Sequence, residues 1–177
     1  ATTTHASAND WIDHKNNVKE QLLNPRPGLF SVCYQHTCSE VEHIALNDKQ
    51  WQTVRGFFGT AQTADEERQQ IADAIAYLEI EVGTKINALD DRGGNLEGFL
   101  AEGNQLDCID ESTNSTTYMQ MMQDDGLLKF HRVESRATRG FLIIGGWPHS
   151  TAVISESGTE RKWAVDSWFH DNGVEPA

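Results

Sequence analysis

Cys108, His149 and Asp166 are a thiol, an imidazole and a carboxylate in that chain order. Together such groups make a nucleophile at neutral pH: the carboxylate orients the ring, the ring takes the proton and the thiolate attacks. Each says little alone. A lone cysteine is more often a small buried hydrophobe. A histidine at a strand end commonly bonds backbone, and an aspartate at 166 could cap a turn or pair with Arg161 or Lys162. Their weight depends on the elements that carry them.

Residues 107–123 contain few helix breakers and stop at Asp124-Asp125-Gly126, which predicts a helix with Cys108 in its first turn. Unpaired N–H groups there favour a thiolate, so a lowered Cys108 pKa is expected. Beyond Gly126 the short runs 127–133, 140–144, 150–154 and 162–169, bounded by Gly, Pro or Ser, predict strands. His149 follows Gly145-Gly146-Trp147-Pro148 and opens one of them. Ser157-Gly158 reads as a hairpin turn, with His149 eight residues before Ser157 and Asp166 eight after Gly158. An even loop then sets the two side chains directly opposite, with Cβ atoms about 4.5–5.5 Å apart, close enough for the carboxylate to select the ring tautomer. A one-residue slip would send Asp166 to the other face.

Upstream, Trp11, Ile12, Val18, Leu22 and Leu23 recur roughly at helical spacing and predict a helix over 9–23, stopped by Pro25 and Pro27. Residues 29–46 are rich in β-branched and aromatic types and read as strand. Asn47 can cap a helix through Trp51, Val54, Arg55 and Phe58, with Gly59 in a left-handed position after it. Thr63-Ala64-Asp65-Glu66 has the capping-box form, and Ile71, Ile75, Leu78, Val82 and Ile86 follow on one face. Asp90-Asp91-Arg92-Gly93-Gly94 breaks this helix, and a loop is expected up to Gln105. Helices first and strands last predict an α+β fold. At 177 residues the chain suits one domain, with 1–104 a mostly helical part packed on 105–177, the Cys108 helix plus an antiparallel sheet.

With 38% hydrophobic residues, five Trp and seven Phe, the chain has enough apolar material for a core. A net charge of −13 without a Lys/Arg stripe argues against nucleic acid and anionic membrane surfaces as partners. The longest apolar run, 141–144, is only strand length. Cys33, His36, Cys38 and His43 are zinc-ligand types, but their spacing matches no familiar finger, and a Cys33–Cys38 disulfide fits at least as well. Asp90, Asp91, Asp124 and Asp125 offer oxygen ligands for calcium, although paired Asp before Gly is commonly turn chemistry. No cofactor or metal is therefore expected. Asn114-Ser115-Thr116 matches a glycosylation sequon but lies inside the predicted Cys108 helix, where it reads as chance. A Thr-rich start without Met, together with a Cys33–Cys38 bridge, would suit a periplasmic or secreted protein over a cytoplasmic one.

Three segments carry a family resemblance. Gln105-Leu106-Asp107-Cys108-Ile109-Asp110, His149-Ser150-Thr151-Ala152-Val153 and Trp163-Ala164-Val165-Asp166-Ser167-Trp168 resemble the bacterial transglutaminase-like cysteine peptidases, over residues 105–173. The resemblance implies a papain-like, transglutaminase-like fold in which the cysteine opens a helix, the histidine starts one strand and the aspartate lies on the next. It implies thiol-dependent acyl transfer by a peptidase or amidase-like hydrolase acting on a protein or peptide, with Cys108 as nucleophile, His149 as general base and acid, and Asp166 orienting His149. The Cys108 N–H plus an upstream amide, Gln105 ahead of Asn104, could hold the oxyanion. Trp147 is a candidate cleft wall, whereas Trp163 and Trp168 on strands are more often core. The rival reading is a non-catalytic binding or effector module on the same fold, because fold does not fix function.

Overall fold

A computed structural model describes residues 11–12, 21–87, 106–139, 149–167 and 173–177. Within them the order is β1 (Trp11–Ile12), β2 (Gln21–Leu22), β3 (Phe30–Tyr34), β4 (Glu40–Ile44), α1 (Asp48–Phe57), α2 (Ala64–Ile86), α3 (Cys108–Asp124), β5 (His131–Arg139), β6 (His149–Glu156) and β7 (Lys162–Val165). The architecture is α+β. Strands pair antiparallel as β1-β2, β3-β4 and β5-β6-β7.

The three helices begin where their caps say they should. Asn47, Thr63 and Asp107 each close a capping box with Gln50, Glu66 and Asp110, which satisfies amides that a helix start leaves unpaired. Gly59 follows α1 with φ +104, as a left-handed position requires. Along α2, Ile71, Ile75, Leu78, Val82 and Ile86 are all buried, each contributing about 1.5–3 kcal/mol before chain entropy is subtracted. They join Phe30 and Val32 of β3, Tyr118, Met119, Met121 and Met122 of α3, and Ala152 and Ile154 of β6 in one core cluster. Helix α3 lies against β3, β5 and β6, so the element that starts at Cys108 is gripped by both the N-terminal hairpin and the C-terminal sheet.

The predicted helix over 9–23 is corrected. Trp11–Ile12 and Gln21–Leu22 are antiparallel partners, and residues 13–20 lie outside the described set. Leu22 N–H donates to Ser31 Oγ at 2.9 Å, so tertiary pairing outweighs a weak periodicity in this segment. The strand expected over 29–46 is two strands. They are joined by residues 35–39, of which Gln35, His36, Thr37 and Cys38 have φ between 50° and 59°, a left-handed run that costs about 1–2 kcal/mol per residue.

The strand expected over 127–133 begins only at His131. Leu127 N–H is taken by Met122 O (3.0 Å), and the amides of Lys129, Phe130 and His131 all donate to the Glu67 carboxylate (2.7, 2.9 and 2.9 Å). Those amides are unavailable to a ladder. Glu67 is 1% exposed; burial alone would push its carboxyl up, but the bonds from His131, Lys129 and Phe130 outweigh it and hold the pKa below its ordinary value. The strand expected over 140–144 lies outside the described residues, as do the later residues of the one expected over 162–169, which ends as β7 at Val165.

Candidate active site

Asp107 positions Cys108. Its Oδ1 accepts from Ile109 N–H (3.0 Å) and Asp110 N–H (2.9 Å), and its Oδ2 accepts from Thr37 N–H (2.8 Å). Asp110, fully buried, accepts from Cys38 N–H (2.7 Å) and Asp107 N–H (3.2 Å). One turn on, Asn114 bonds the Cys33 peptide in both directions, accepting from N–H at 2.8 Å and donating to C=O at 2.9 Å. The first two turns of α3 are therefore clamped to the loop closed by the Cys33–Cys38 disulfide, whose Cα atoms are 4.7 Å apart. The sequon nitrogen is consumed in this clamp. Neither Cys33 nor Cys38 is available as a zinc ligand.

Facing this turn is the β6–β7 hairpin. Its observed register pairs Ala152 with Val165 and Ser155 with Lys162, and Glu156 N–H bonds Arg161 O at 3.0 Å around a turn with Gly158 at φ +79. Two more residues sit in the loop than the predicted Ser157-Gly158 turn, so Asp166 continues opposite Thr151, and its direct opposition to His149 is corrected. A slip of two preserves the alternation of faces, whereas a slip of one would have reversed it. His149 and Asp166 thus become diagonal neighbours on one face, within reach of long side chains, and His149 Nε2 bonds Asp166 Oδ2. Because the carboxylate accepts, Nε2 carries the proton, and Nδ1 is the basic nitrogen of this tautomer. The Asp166 backbone is held in both directions by Ala177, at 3.0 and 2.9 Å.

Cys108 lies near the start of β6. Its half-buried thiol lies close enough to the Ser150 amide, one residue after His149, and to Asp166 for both to act on its ionisation. The structure thus joins His149 to Asp166 and sets Cys108 within electrostatic reach of Asp166. It does not lower the thiol pKa as the helix terminus led us to expect. Burial pushes the Cys108 thiol up, the charges of Asp107 and Asp166 add to this, and the amides of Ser150 and Cys108 only partly oppose it. The helix terminus also helps less than expected, because the amides of Ile109 and Asp110 already serve the Asp107 carboxylate, but burial is the larger cause. The Cys108 N–H is then the amide of this turn left for an oxyanion.

Gln105 and Trp147, the expected oxyanion and cleft residues, lie outside the described residues, as do Asn104, Trp168, Asp90 and Asp91. Trp163 is 36% exposed, alternates to the face opposite Asp166, and carries the Arg68 guanidinium 3.9 Å above its ring. Asp125 is committed to Arg55 (2.6 and 2.8 Å) and to Trp51 Nε1 (2.9 Å), and Asp124 to Gln120 (2.8 Å). Both carboxylates therefore have local structural partners.

Sequence reasoning missed two residues beside Cys108. Asn114 was visible only as a sequon. Arg136 stands at an irregularity of β5, between Glu134 and Ala137, and donates through Nη1 to Thr113 Oγ1 (2.7 Å), Ile109 O (3.3 Å) and Ser112 Oγ (3.5 Å). Nothing in the polar run Glu134-Ser135-Arg136 announces either the bulge or the contact with α3. Compared with family models, curated proteins and solved structures, the chain matches none.

Proposed function

We propose that the chain is a thiol-dependent acyl-transfer enzyme, a cysteine hydrolase of amide bonds in proteins or peptides, with the papain-like, transglutaminase-like arrangement that its three motifs resemble. The observation that carries this reading is the His149–Asp166 hydrogen bond, with Cys108 within electrostatic reach of Asp166. Asp166 fixes the ring with Nδ1 as the base. Because burial and two carboxylates keep the resting thiol protonated, the proton moves from Cys108 Sγ to His149 as sulfur attacks, rather than beforehand. The carbonyl oxygen gains the charge and is met by the Cys108 N–H, with Gln105 the proposed second donor. His149 returns the proton to the leaving amine, and water resolves the thioester. Trp147 is the proposed cleft wall, and a periplasmic or secreted setting suits the Cys33–Cys38 bridge.

A second reading, a binding or effector module on the same fold, draws on the raised thiol pKa, which is also what an inert buried cysteine shows. Alkylation separates the two. Cys108 is the chain's one free thiol, so iodoacetamide adducts can be counted by intact mass near neutral pH. The enzyme reading expects labelling that is absent in Cys108→Ala and about a hundredfold slower in His149→Ala. Equal rates in wild type and His149→Ala would favour the binding module.

A further inference from the structure

Beside Cys108 and Ser150 lies a groove of about 390 Å³ lined by Ile109, Ser135, Arg136, Thr138 and Ser150. Two of these residues directly follow Cys108 and His149 in the chain, so the groove adjoins the reacting atoms. Its one charged lining residue is Arg136. The pairing of β5 with β6 shifts between Glu134 and Ala137, and a bulge of this kind re-aims side chains out of the ladder. Arg136 remains exposed.

The partners of Arg136 are neutral oxygens. Acidic residues outnumber basic ones 27 to 14, and Arg55, Arg68 and Arg161 each hold a carboxylate. Arg136 holds none among the described residues. Its Nη1 donates only to the neutral oxygens of Thr113, Ile109 and Ser112, and those bonds fix the guanidinium plane against α3. Nε and Nη2 donate to nothing among the described residues. A positioned guanidinium fork with unused donors matches a planar carboxylate bidentately. It is also near enough to Cys108 for the thiolate and the guanidinium to feel each other's charge.

We propose that Arg136 is a specificity-determining residue that receives a carboxylate of the acyl substrate in the groove beside Cys108, so that acyl groups bearing an acidic side chain or terminus are preferred. The proposal rests on the reading of Cys108 as nucleophile. In the step it governs, Cys108 Sγ gives its proton to His149 and forms a C–S bond to the carbonyl carbon. The C–N bond to the leaving amine breaks as His149 returns the proton to it (in an aryl ester the C–O bond breaks and phenolate leaves), and the carboxylate held by Arg136 is unchanged throughout.

The test uses two aryl esters of equal carbon number, p-nitrophenyl valerate and the mono-p-nitrophenyl ester of glutaric acid, with acylation of Cys108 followed by intact mass and nitrophenolate release. Wild type is expected to be acylated about tenfold faster by the glutarate ester, the size of one charged hydrogen-bonded contact. That ratio should fall toward one in Arg136→Gln, persist in part in Arg136→Lys, and shrink with added salt in wild type. The salt dependence remains a readout if the Gln variant does not fold. The net charge of −13 disfavours an anionic ester at long range, so the preference cannot come from general attraction. Equal acylation by both esters in wild type, or a preference that survives in Arg136→Gln, overturns the proposal while leaving the nucleophile in place. Failure of both esters to acylate Cys108 overturns the nucleophile reading and this proposal together.

Discussion

Replacing Asn114 with alanine should unseat the start of α3. Asn114 is 4% exposed and Cys33 is 1% exposed, and the amide side chain is the partner of both the Cys33 N–H (2.8 Å) and the Cys33 C=O (2.9 Å). Truncation leaves one backbone donor and one acceptor buried together, each costing about 1–3 kcal/mol when unsatisfied. A total near 3 kcal/mol follows, allowing for one of the two groups finding water. For a chain of this size 1 kcal/mol moves the melting midpoint by about 2–4 °C, so a drop of about 6–12 °C is expected. The measurement is urea unfolding followed by tryptophan fluorescence, with a thermal melt alongside, under non-reducing conditions. Gln69→Ala serves as the control; it removes an exposed side chain and should stay within about 0.5 kcal/mol. An Asn114→Ala protein within that same margin would refute the idea that this amide couples β3 to the Cys108 helix.

Glu67→Ala leaves three amides of residues 129–131 without their acceptor and should destabilise by about 3 kcal/mol or more in the same unfolding assay. Because the Glu67 pKa is lowered in the fold, its ionised form contributes stability above the unfolded value. That contribution disappears as pH falls through the folded pKa, so acid unfolding should begin at higher pH in a Glu67→Gln protein than in wild type. Asp110 behaves oppositely. Burial first, then the Asp107 charge, pushes it up to about 7, against about 3.9 unfolded. Between those values the folded chain holds the extra proton, so stability declines as pH rises through this window. Asp107→Asn, which keeps a good N-cap, should make the decline measured from pH 4 to 8 shallower. Reducing Cys33–Cys38, a bridge spanning five positions in sequence, should cost about 2 kcal/mol from loop entropy, and tryptophan-detected unfolding with and without reductant gives the value.

Elements whose cause is local were legible in the sequence. Asn47 and Thr63 satisfy amides within their own first turns, so α1 and α2 could be placed from capping residues and apolar spacing, and α3 from its run without helix breakers. What depends on distant residues was not. Glu67 delays β5 from about 60 positions upstream, and Ser31 holds Leu22 in a strand that periodicity read as helix. The His149–Asp166 pair was anticipated through a two-residue turn that the chain does not use. It survives because a second pair of loop residues leaves the side-chain faces unchanged. The thiol pKa went the other way first because the helix-terminus argument left out burial, and second because it omitted the carboxylate that caps that terminus, Asp107. Arg136 had no sequence signal, since its position depends on a bulge.

The central claim is that Cys108 forms an acyl-enzyme with His149 as its base. A neutral activated ester, p-nitrophenyl acetate, tests it without knowledge of the natural substrate, by intact mass and by the burst of nitrophenolate. Wild type should take up one acetyl group per chain on Cys108 with a matching burst, Cys108→Ala none, and His149→Ala should be slower by about a hundredfold. Acetylation that proceeds equally in His149→Ala, or that persists unchanged in Cys108→Ala, would contradict the account.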